Sequence, residues 1–305
     1  AYNCRDTIAR CLESLSGLDH PSYEVIVVDD GSTDGTAAIC ESFEGARVMR
    51  LDNGGPSRAR NAGLEAARAS LVAFTDSDCV VDKGWLKELE KGFTGPDVAG
   101  VGGDQKSPDD ETELGQGIQE MFKMLGIVTY YMKTDTITAE TEHNPSCNAA
   151  YRKAVLEEVG GFDETLWPGE DVDLDLRIRR QGYKLVYNPA ALVGHYRPRT
   201  YRGFARMMRR YGASAWHLFK RYGFFRILHY EPLAAVLGLA FLAAMLVWEP
   251  MLWLLLPLTW PILFLWFFVK TRECHKGLQL TILFLIILIA WNWGFCTGYR
   301  WRPKV

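Results

Sequence analysis

Three acidic clusters in this 305-residue chain have the types and spacing to handle a cation and a proton. Asp29-Asp30 follows the apolar run Val25-Ile26-Val27-Val28, and Asp76 and Asp78 follow Leu71-Val72-Ala73-Phe74 after a single threonine. Ligands of open α/β sheets bind beyond the carboxyl ends of the strands, so these four carboxylates are expected to converge on one cleft. Close carboxylates repel unless a cation sits among them. An oxygen-rich set suits a divalent metal, Mg²⁺ or Mn²⁺, whose other ligands come from phosphate and water. That combination points to a nucleotide diphosphate. Any one aspartate could instead be a turn or cap residue, but two clusters at two strand ends are harder to explain that way.

The third cluster, Glu170-Asp171, opens a helical pattern after Trp167-Pro168-Gly169. Helix-dipole stabilisation would account for acids there. The chemical reading is a general base that deprotonates an acceptor hydroxyl. Arg58 and Arg60 begin a helix just after Gly54-Gly55, where anions are favoured, and are candidates for phosphate or base contacts; a solvated basic face is the alternative. His195 ends a strand ahead of a basic stretch and is a candidate metal ligand or phosphate contact, against the plainer reading of a structural histidine.

The elements that must position these groups alternate. Helical periodicity covers residues 7–18, 33–43, 57–69, 85–93, 114–131 and 170–181, with a further helix within 148–160. Short β-branched runs at 23–28, 47–51, 71–74, 98–102, 185–187 and 191–193 read as strands. Alternation of this kind implies an α/β fold, a Rossmann-like, mostly parallel sheet with helices on both faces.

The 34 Lys+Arg nearly balance 37 Asp+Glu, which argues against nucleic acid as a partner. The balance hides a shift: residues 177–226 are strongly basic and, from Tyr196, interleaved with aromatics. No cysteine pair has C-x-x-C spacing, so the seven read as reduced thiols of a cytosolic domain. Three charge-free apolar stretches follow, at 232–248, 251–269 and 278–298. A spanning helix needs about 20 residues. The expected division is therefore a catalytic domain at 1–199, basic interfacial helices at 200–230 and about three transmembrane helices at 231–305. The basic segment places the catalytic domain on the cytosolic side of a multi-pass cell-membrane protein.

The ordered motifs Asp29-Asp30-Gly31-Ser32-Thr33-Asp34-Gly35-Thr36, Ser57-Arg58-Ala59-Arg60-Asn61-Ala62-Gly63, Asp76-Ser77-Asp78, Asn148-Ala149-Ala150-Tyr151-Arg152, Gly160-Gly161-Phe162-Asp163-Glu164 and Gly169-Glu170-Asp171 resemble those of family 2 inverting glycosyltransferases, in the non-processive, succinoglycan-type branch. The likeness runs from Ala1 to about Arg199. It implies a GT-A fold and transfer from a nucleotide-sugar donor to a lipid-linked or envelope glycan acceptor. It also implies that Asp29 and Asp30, chiefly Asp30, meet the nucleotide base or ribose, that Asp76 and Asp78 handle the ribose and the divalent metal, that Asn148 lines the sugar or acceptor pocket, and that Asp171, with Glu170 beside it, is the base; Asn3, Arg58 and Arg60 are further candidate donor contacts and His195 a further candidate metal ligand. Two departures stand out. The Q-x-x-R-W motif of processive synthases is missing, and the family's first strand is expected ahead of Ala1-Tyr2-Asn3. A nucleotidyltransferase on a similar fold and a non-catalytic membrane scaffold are the alternatives.

Overall fold

The computed structural model describes residues 1–126, 140–224, 237–238 and 259–300. Two compact units emerge: residues 1–111 with 126–196, and residues 112–125 with 197–301. The segment 112–125 thus groups with the carboxy-terminal helices, although it interrupts the first unit in sequence.

In the first unit the order is α1 (Ile8–Ser16), β1 (Val25–Asp29), α2 (Thr36–Glu41), β2 (Ala46–Arg50), α3 (Pro56–Ala66), β3 (Leu71–Thr75), β4 (Cys79–Val81), α4 (Trp85–Lys91) and β5 (Val98–Lys106). After α5 (Glu113–Leu125), which belongs to the second unit, the first continues with β6 (Asn148–Arg152), α6 (Lys153–Glu158), α7 (Glu170–Arg180) and β7 (Lys184–His195). Strands β1 and β2 pair in parallel. The remaining strands form a five-stranded sheet in the order β3-β6-β5-β7-β4.

That sheet corrects the expectation of a mostly parallel one. The β5–β7 pair is parallel, whereas β3–β6, β5–β6 and β4–β7 are antiparallel. The reason lies in β6 and β4, which sequence reading did not resolve as strands. Asn148-Ala149-Ala150-Tyr151-Arg152 carries three good helix formers, but four of its five residues are buried between β3 and β5. Cross-strand packing overrides helix propensity here. Two runs expected as separate strands, 185–187 and 191–193, are parts of the single strand β7. A register shift opposite Gly103 and Asp104 divides them, beside Pro189, which has no N–H for a ladder.

Helices cover both faces of this sheet. Val81, Trp85, Leu89, Val101, Cys147, Ala150, Val186 and Val193 form one buried cluster, carried by α4 and one face of the strands. Leu64, Phe74, Ala149, Tyr151, Leu156, Phe162, Leu174 and Ile178 form the other, contributed by α3, α6 and α7. Ala149 and Tyr151 face one way and Ala150 the other, the period of two that a strand requires. A smaller cluster of Ile8, Leu12, Val27 and Cys40 packs α1 and α2 on β1. The backbone of Ala1 lies along β1: its ammonium donates to the Val28 carbonyl at 2.6 Å and its carbonyl accepts from Asp30 N–H at 2.8 Å.

The second unit contains α5, α8 (Tyr201–Tyr222), α9 (Thr259–Thr271) and α10 (Cys274–Thr297). Thr200 caps α8 by accepting from Gly203 N–H. Helices α8 and α10 touch backbone to backbone. A Cβ on Gly212 would stand 2.0 Å from the Trp291 carbonyl oxygen, and one on Gly294 would stand 2.0 Å from that of Arg209. Small residues permit such an approach.

One described helix, continuous over Cys274–Arg300, is long and apolar enough to cross a bilayer. Its partner α9 is apolar but shorter. Apart from residues 237–238, the expected span at 232–248 lies outside the described residues, as do the first part of that at 251–269 and the end of the helix expected over 114–131.

Gly294→Ile should therefore cost about 1–3 kcal/mol through overpacking. Urea unfolding of the detergent-solubilised protein, followed by tryptophan fluorescence, measures it. An unchanged midpoint would remove the close contact.

Candidate active site

The mixed sheet brings the predicted groups to one edge. The carboxyl ends of β3, β5 and β7 and the beginnings of β4 and β6 meet there, with Thr75 opposite Asn148 and Cys79 opposite His195.

The centre of the site is Arg60, on α3. Its guanidinium donates to Asp76 Oδ1 at 2.8 Å and to Glu170 Oε1 at 2.7 Å, and it lies 5.5 Å from the centre of the Phe162 ring. One half-buried cation, its side chain 14% exposed, thus ties the end of β3 to the start of α7. Burial works against that charge, but Asp76 and Glu170 raise the arginine further above its ordinary value. Burial pushes the Glu170 carboxyl up to about 7; Arg60 pulls it down and Asp171 pushes it up. Glu170 Oε2 is buried without a hydrogen-bond partner among the described residues.

Asp171 stands next to this bridge with its side chain 21% exposed. Its Oδ2 accepts weakly from Ser146 N–H at 3.4 Å and lies 3.7 Å from His143 Nε2. The opposite ring nitrogen, Nδ1, bonds Asp175 Oδ2 at 2.8 Å, and Asp175 also accepts from Asn144 N–H and the Tyr151 hydroxyl. Burial raises the Asp175 carboxyl, while His143 opposes the shift. Sequence reading missed His143. It sits in no motif, and only the fold of residues 140–148 against α7 brings it behind Asp171.

Asp78 lies on the other side. Its Oδ1 is 3.4 Å from His195 Nε2, and its side chain is 45% exposed. The His195 Nδ1 faces Gln105 Oε1 at 3.3 Å, which leaves Nε2 as the atom turned to Asp78. Cys79 and Cys147 are buried beside this pair. A hydrogen bond from Cys79 pulls the Cys147 thiol below its ordinary range, helped by His195, whereas burial pushes Cys79 up.

The remaining predicted residues separate. Asp30 is buried, and its carboxylate accepts from Gly54 and Gly55 N–H, each at 2.8 Å, so it fastens the loop that enters α3. Asp29 is buried as well, 3.6 Å from Arg50 Nε, with Oδ1 lacking a partner among the described residues. Asn3 Oδ1 accepts from Thr33 N–H at 2.9 Å and holds the 31–35 turn. Arg58 is exposed and, with Gly31, Ser32 and Arg50, lines an open cleft of about 520 Å³.

Asn148 differs most from expectation. Its amide accepts from Trp85 Nε1 and donates to the Asp104 and Ala191 carbonyls, and it is fully buried. It knits β6 into the sheet interior instead of lining a pocket. The glycine-rich run of β5 allows this: a Cβ on Gly103 would lie 1.9 Å from the Ala191 carbonyl oxygen and 2.7 Å from the Asn148 amide.

Comparisons with known proteins agree on the family. A family model described as Glycosyl transferase family 2 matches residues 1–160. The pre-mycofactocin glycosyltransferase of Mycobacterium tuberculosis is 33% identical over 219 residues, 68% of this chain and 44% of its own length. Succinoglycan biosynthesis protein ExoO of Rhizobium meliloti is 31% identical over 202 residues, 63% of this chain and 57% of its own length. The chain spans about half the length of the curated relatives it matches. Mannosyltransferase PcManGT from Pyrobaculum calidifontis, solved in complex with GDP-Man and Mn²⁺, superposes with a TM-score of 0.59 at 22% identity, over 94% of this chain and 85% of that one. That likeness shows the fold, the GT-A type.

Removing Arg60 should leave Glu170 a bare buried carboxylate. Arg60→Met is expected to cost about 3–5 kcal/mol at pH 8. The cost of a carboxyl held above its ordinary value is present at high pH and is relieved as the group protonates. The loss should therefore shrink by pH 5, below the value of about 7 reached by Glu170. Urea unfolding at both pH values tests this, and an equal loss at both would contradict it.

Proposed function

The chain belongs to glycosyl transferase family 2, and from that membership we propose that it moves a sugar, with inversion, from a nucleoside-diphosphate sugar to an acceptor hydroxyl. The observation that carries this reading is the Arg60 bridge. It sets a candidate base, Asp171, beside Glu170 and a candidate cation ligand, Asp78, two residues from Asp76, so that both ends of one displacement share a single edge of the sheet.

Asp78 and His195 suit a divalent cation, Mg²⁺ or Mn²⁺. A carboxylate oxygen and an imidazole nitrogen 3.4 Å apart can be neighbouring ligands of one ion, and the exposure of Asp78 leaves room for phosphate oxygens and water. When bound, such a cation neutralises charge on the departing diphosphate. Arg58, at the rim of the open cleft, is the candidate contact for the nucleotide, while Asp30 and Asn3 act through the loops they fasten. Asp171 takes the proton from the acceptor hydroxyl as that oxygen attacks the anomeric carbon, and the nucleoside diphosphate leaves from the opposite face. A single base with a direct displacement gives inversion. His143, held by buried Asp175, orients and supports the Asp171 carboxylate from behind.

The acceptor is a lipid-linked or envelope glycan. Supporting this is the apolar surface of the second unit: Ile262, Leu265, Val269, Ile289 and Trp293 are all more than half exposed, a surface that suits lipid better than water. In this reading residues 1–199 form the cytosolic catalytic domain, residues 200–230 lie at the interface, and residues 231–305 enter the cell membrane, with Cys274–Arg300 as one span.

Asp171→Asn should lower transfer at least about 100-fold while nucleotide binding stays within a factor of about three. A screen of nucleotide sugars with the purified chain, reading release of nucleoside diphosphate, measures the first, and calorimetry the second. Full activity in the variant would overturn the base assignment. Release of pyrophosphate in place of nucleoside diphosphate would mark nucleotidyl transfer instead.

The span is tested by its own thiols. Cys274 and Cys296 are exposed near opposite ends of α10. A membrane-impermeant maleimide should reach them from opposite sides of sealed vesicles. Labelling of both from one side would rule out α10 as a span.

A further inference from the structure

Beside the pair Asp78–His195 lies a ligand set that the transfer reaction does not use. Cys79 opens β4, directly across the β4–β7 ladder from His195, and Cys147 immediately precedes β6. One ligand atom from each of Cys79, Cys147 and His195 lies within 4.8 Å of the other two. Asp78 Oδ1 is 3.4 Å from His195 Nε2 and 3.9 Å from Cys79 Sγ. In a tetrahedral site with metal–sulfur bonds of about 2.3 Å and metal–nitrogen bonds of about 2.0 Å, ligand atoms stand roughly 3.3–3.8 Å apart. The Asp78–His195 and Asp78–Cys79 separations are close to that spacing, and the two sulfurs and the imidazole gather within 4.8 Å of one another, so a cation drawing the four side chains in by a few tenths of an ångström to about an ångström would meet two sulfurs, a nitrogen and an oxygen. The Gln105 oxygen at Nδ1 keeps the imidazole in the tautomer that presents Nε2, the orienting contact that metal-bound histidines usually have.

Buried cysteines are commonly just small apolar side chains, and either thiol alone would be read that way. What separates this pair is the convergence of both with an imidazole and a carboxylate. Softness then sets the occupant: thiolate and imidazole ligands favour Zn²⁺ and Cd²⁺ over Mg²⁺ or Mn²⁺. The thiols are buried while Asp78 is partly exposed, so a cation enters from the Asp78 side.

We propose that Asp78, Cys79, Cys147 and His195 form a soft-metal site that captures Zn²⁺ or Cd²⁺ and, by occupying Asp78 and His195, blocks the nucleotide's own cation. Each bound thiol loses its proton to solvent as its sulfur–metal bond forms, so no oxidant or reductant is needed. The blocking half rests on the assignment of Asp78 and His195 to that cation; the binding half does not.

The test uses the full chain, reduced and metal-free, carrying Cys274→Ser and Cys296→Ser to remove the exposed thiols. Cd²⁺ titration without nucleotide should produce a thiolate-to-cadmium charge-transfer band saturating at one equivalent. Adding Cys79→Ser or Cys147→Ser should weaken binding at least about 10-fold. X-ray absorption of the zinc-loaded protein with all other cysteines native should show sulfur scatterers at about 2.3 Å together with nitrogen or oxygen, a readout independent of whether the serine variants fold. Nucleotide release supported by Mn²⁺ should be lost on adding Zn²⁺, return with a zinc chelator, and resist Zn²⁺ in the Cys147→Ser protein. An absent band, a band untouched by both substitutions, or a zinc shell lacking sulfur overturns the site. With the band and sulfur shell present, turnover unaffected by Zn²⁺ overturns the blocking role. If no donor yields turnover, the transferase reading falls, and the band still decides the site.

Discussion

Two carboxylates from distant parts of the chain, Asp76 and Glu170, meet at one sheet edge with a positive charge between them, and Arg60 is that charge. It lies on a helix whose entry is fixed by Asp30, through the Gly54 and Gly55 N–H groups. The next residue on the same helix, Asn61, accepts from Phe162 N–H and donates to the Phe162 carbonyl and Glu164, so the loop ahead of α7 is anchored as well. The order of dependence is physical. Asp30 sets the loop, the loop sets α3, and α3 presents one cation to Asp76 and Glu170. Breaking a buried pair of this kind costs several kcal/mol because the orphaned charge stays buried, which is far more than a surface pair contributes. The acid beside each anchored carboxylate, Asp78 after Asp76 and Asp171 after Glu170, is the more exposed one. One member of each acidic pair carries the architecture, and its neighbour is the one turned further toward solvent.

This split explains what the sequence could convey. Acidic residues gathered at the ends of apolar runs, Asp29, Asp30, Asp76 and Asp78, and at the start of a helical pattern, Glu170 and Asp171, stand out without a structure. Which member of a pair would be structural is not written locally, because it depends on where Arg60 arrives. Strand β6 shows a second limit. The helix expected within 148–160 is α6, and the residues just before it, with alanines on both sides of the pleat, become a strand through burial between β3 and β5. The same strand turns the Asn148 amide into the sheet interior, where Trp85 and two carbonyls use it. His143 and Cys147 escaped notice for a related reason. Their partners are Asp175, Asp171, Cys79 and His195, set by sheet register and helix docking and not by spacing along the chain.

The second unit obeys a different constraint. Its helices α8 and α10 meet through Gly212 and Gly294, where backbone rather than side chain fills the contact. Packing of that kind leaves large side chains pointing outward. Trp293 and Ile289 are 60% and 69% exposed on a helix with no charge from Leu278 to Gly298. At about 25 cal/mol per Å² of apolar surface, solvating such a face in water is costly, whereas hydrocarbon accepts it. Under the proposed membrane reading, the basic residues of α8 and the apolar face of α10 would meet the two sides of a membrane–water boundary.

The proposed soft-metal site follows from the same sheet register that gives β4 its place. Pairing Cys79 with His195 across β4 and β7 is required for Asp78 to reach the imidazole at all. Cys79, the first residue of β4, turns its side chain into the core directly across from His195, and there it meets Cys147, the residue that leads into β6. A hydrophobic side chain at 79 and another at 147 would fill that space as well as two thiols do. With cysteine at both positions, the oxygen-and-nitrogen pair open to solvent gains a sulfur floor. Under the proposed reading, selectivity for the nucleotide's cation then depends on which metal reaches the site first and how tightly the thiols keep their protons. Geometry alone does not exclude the softer ion.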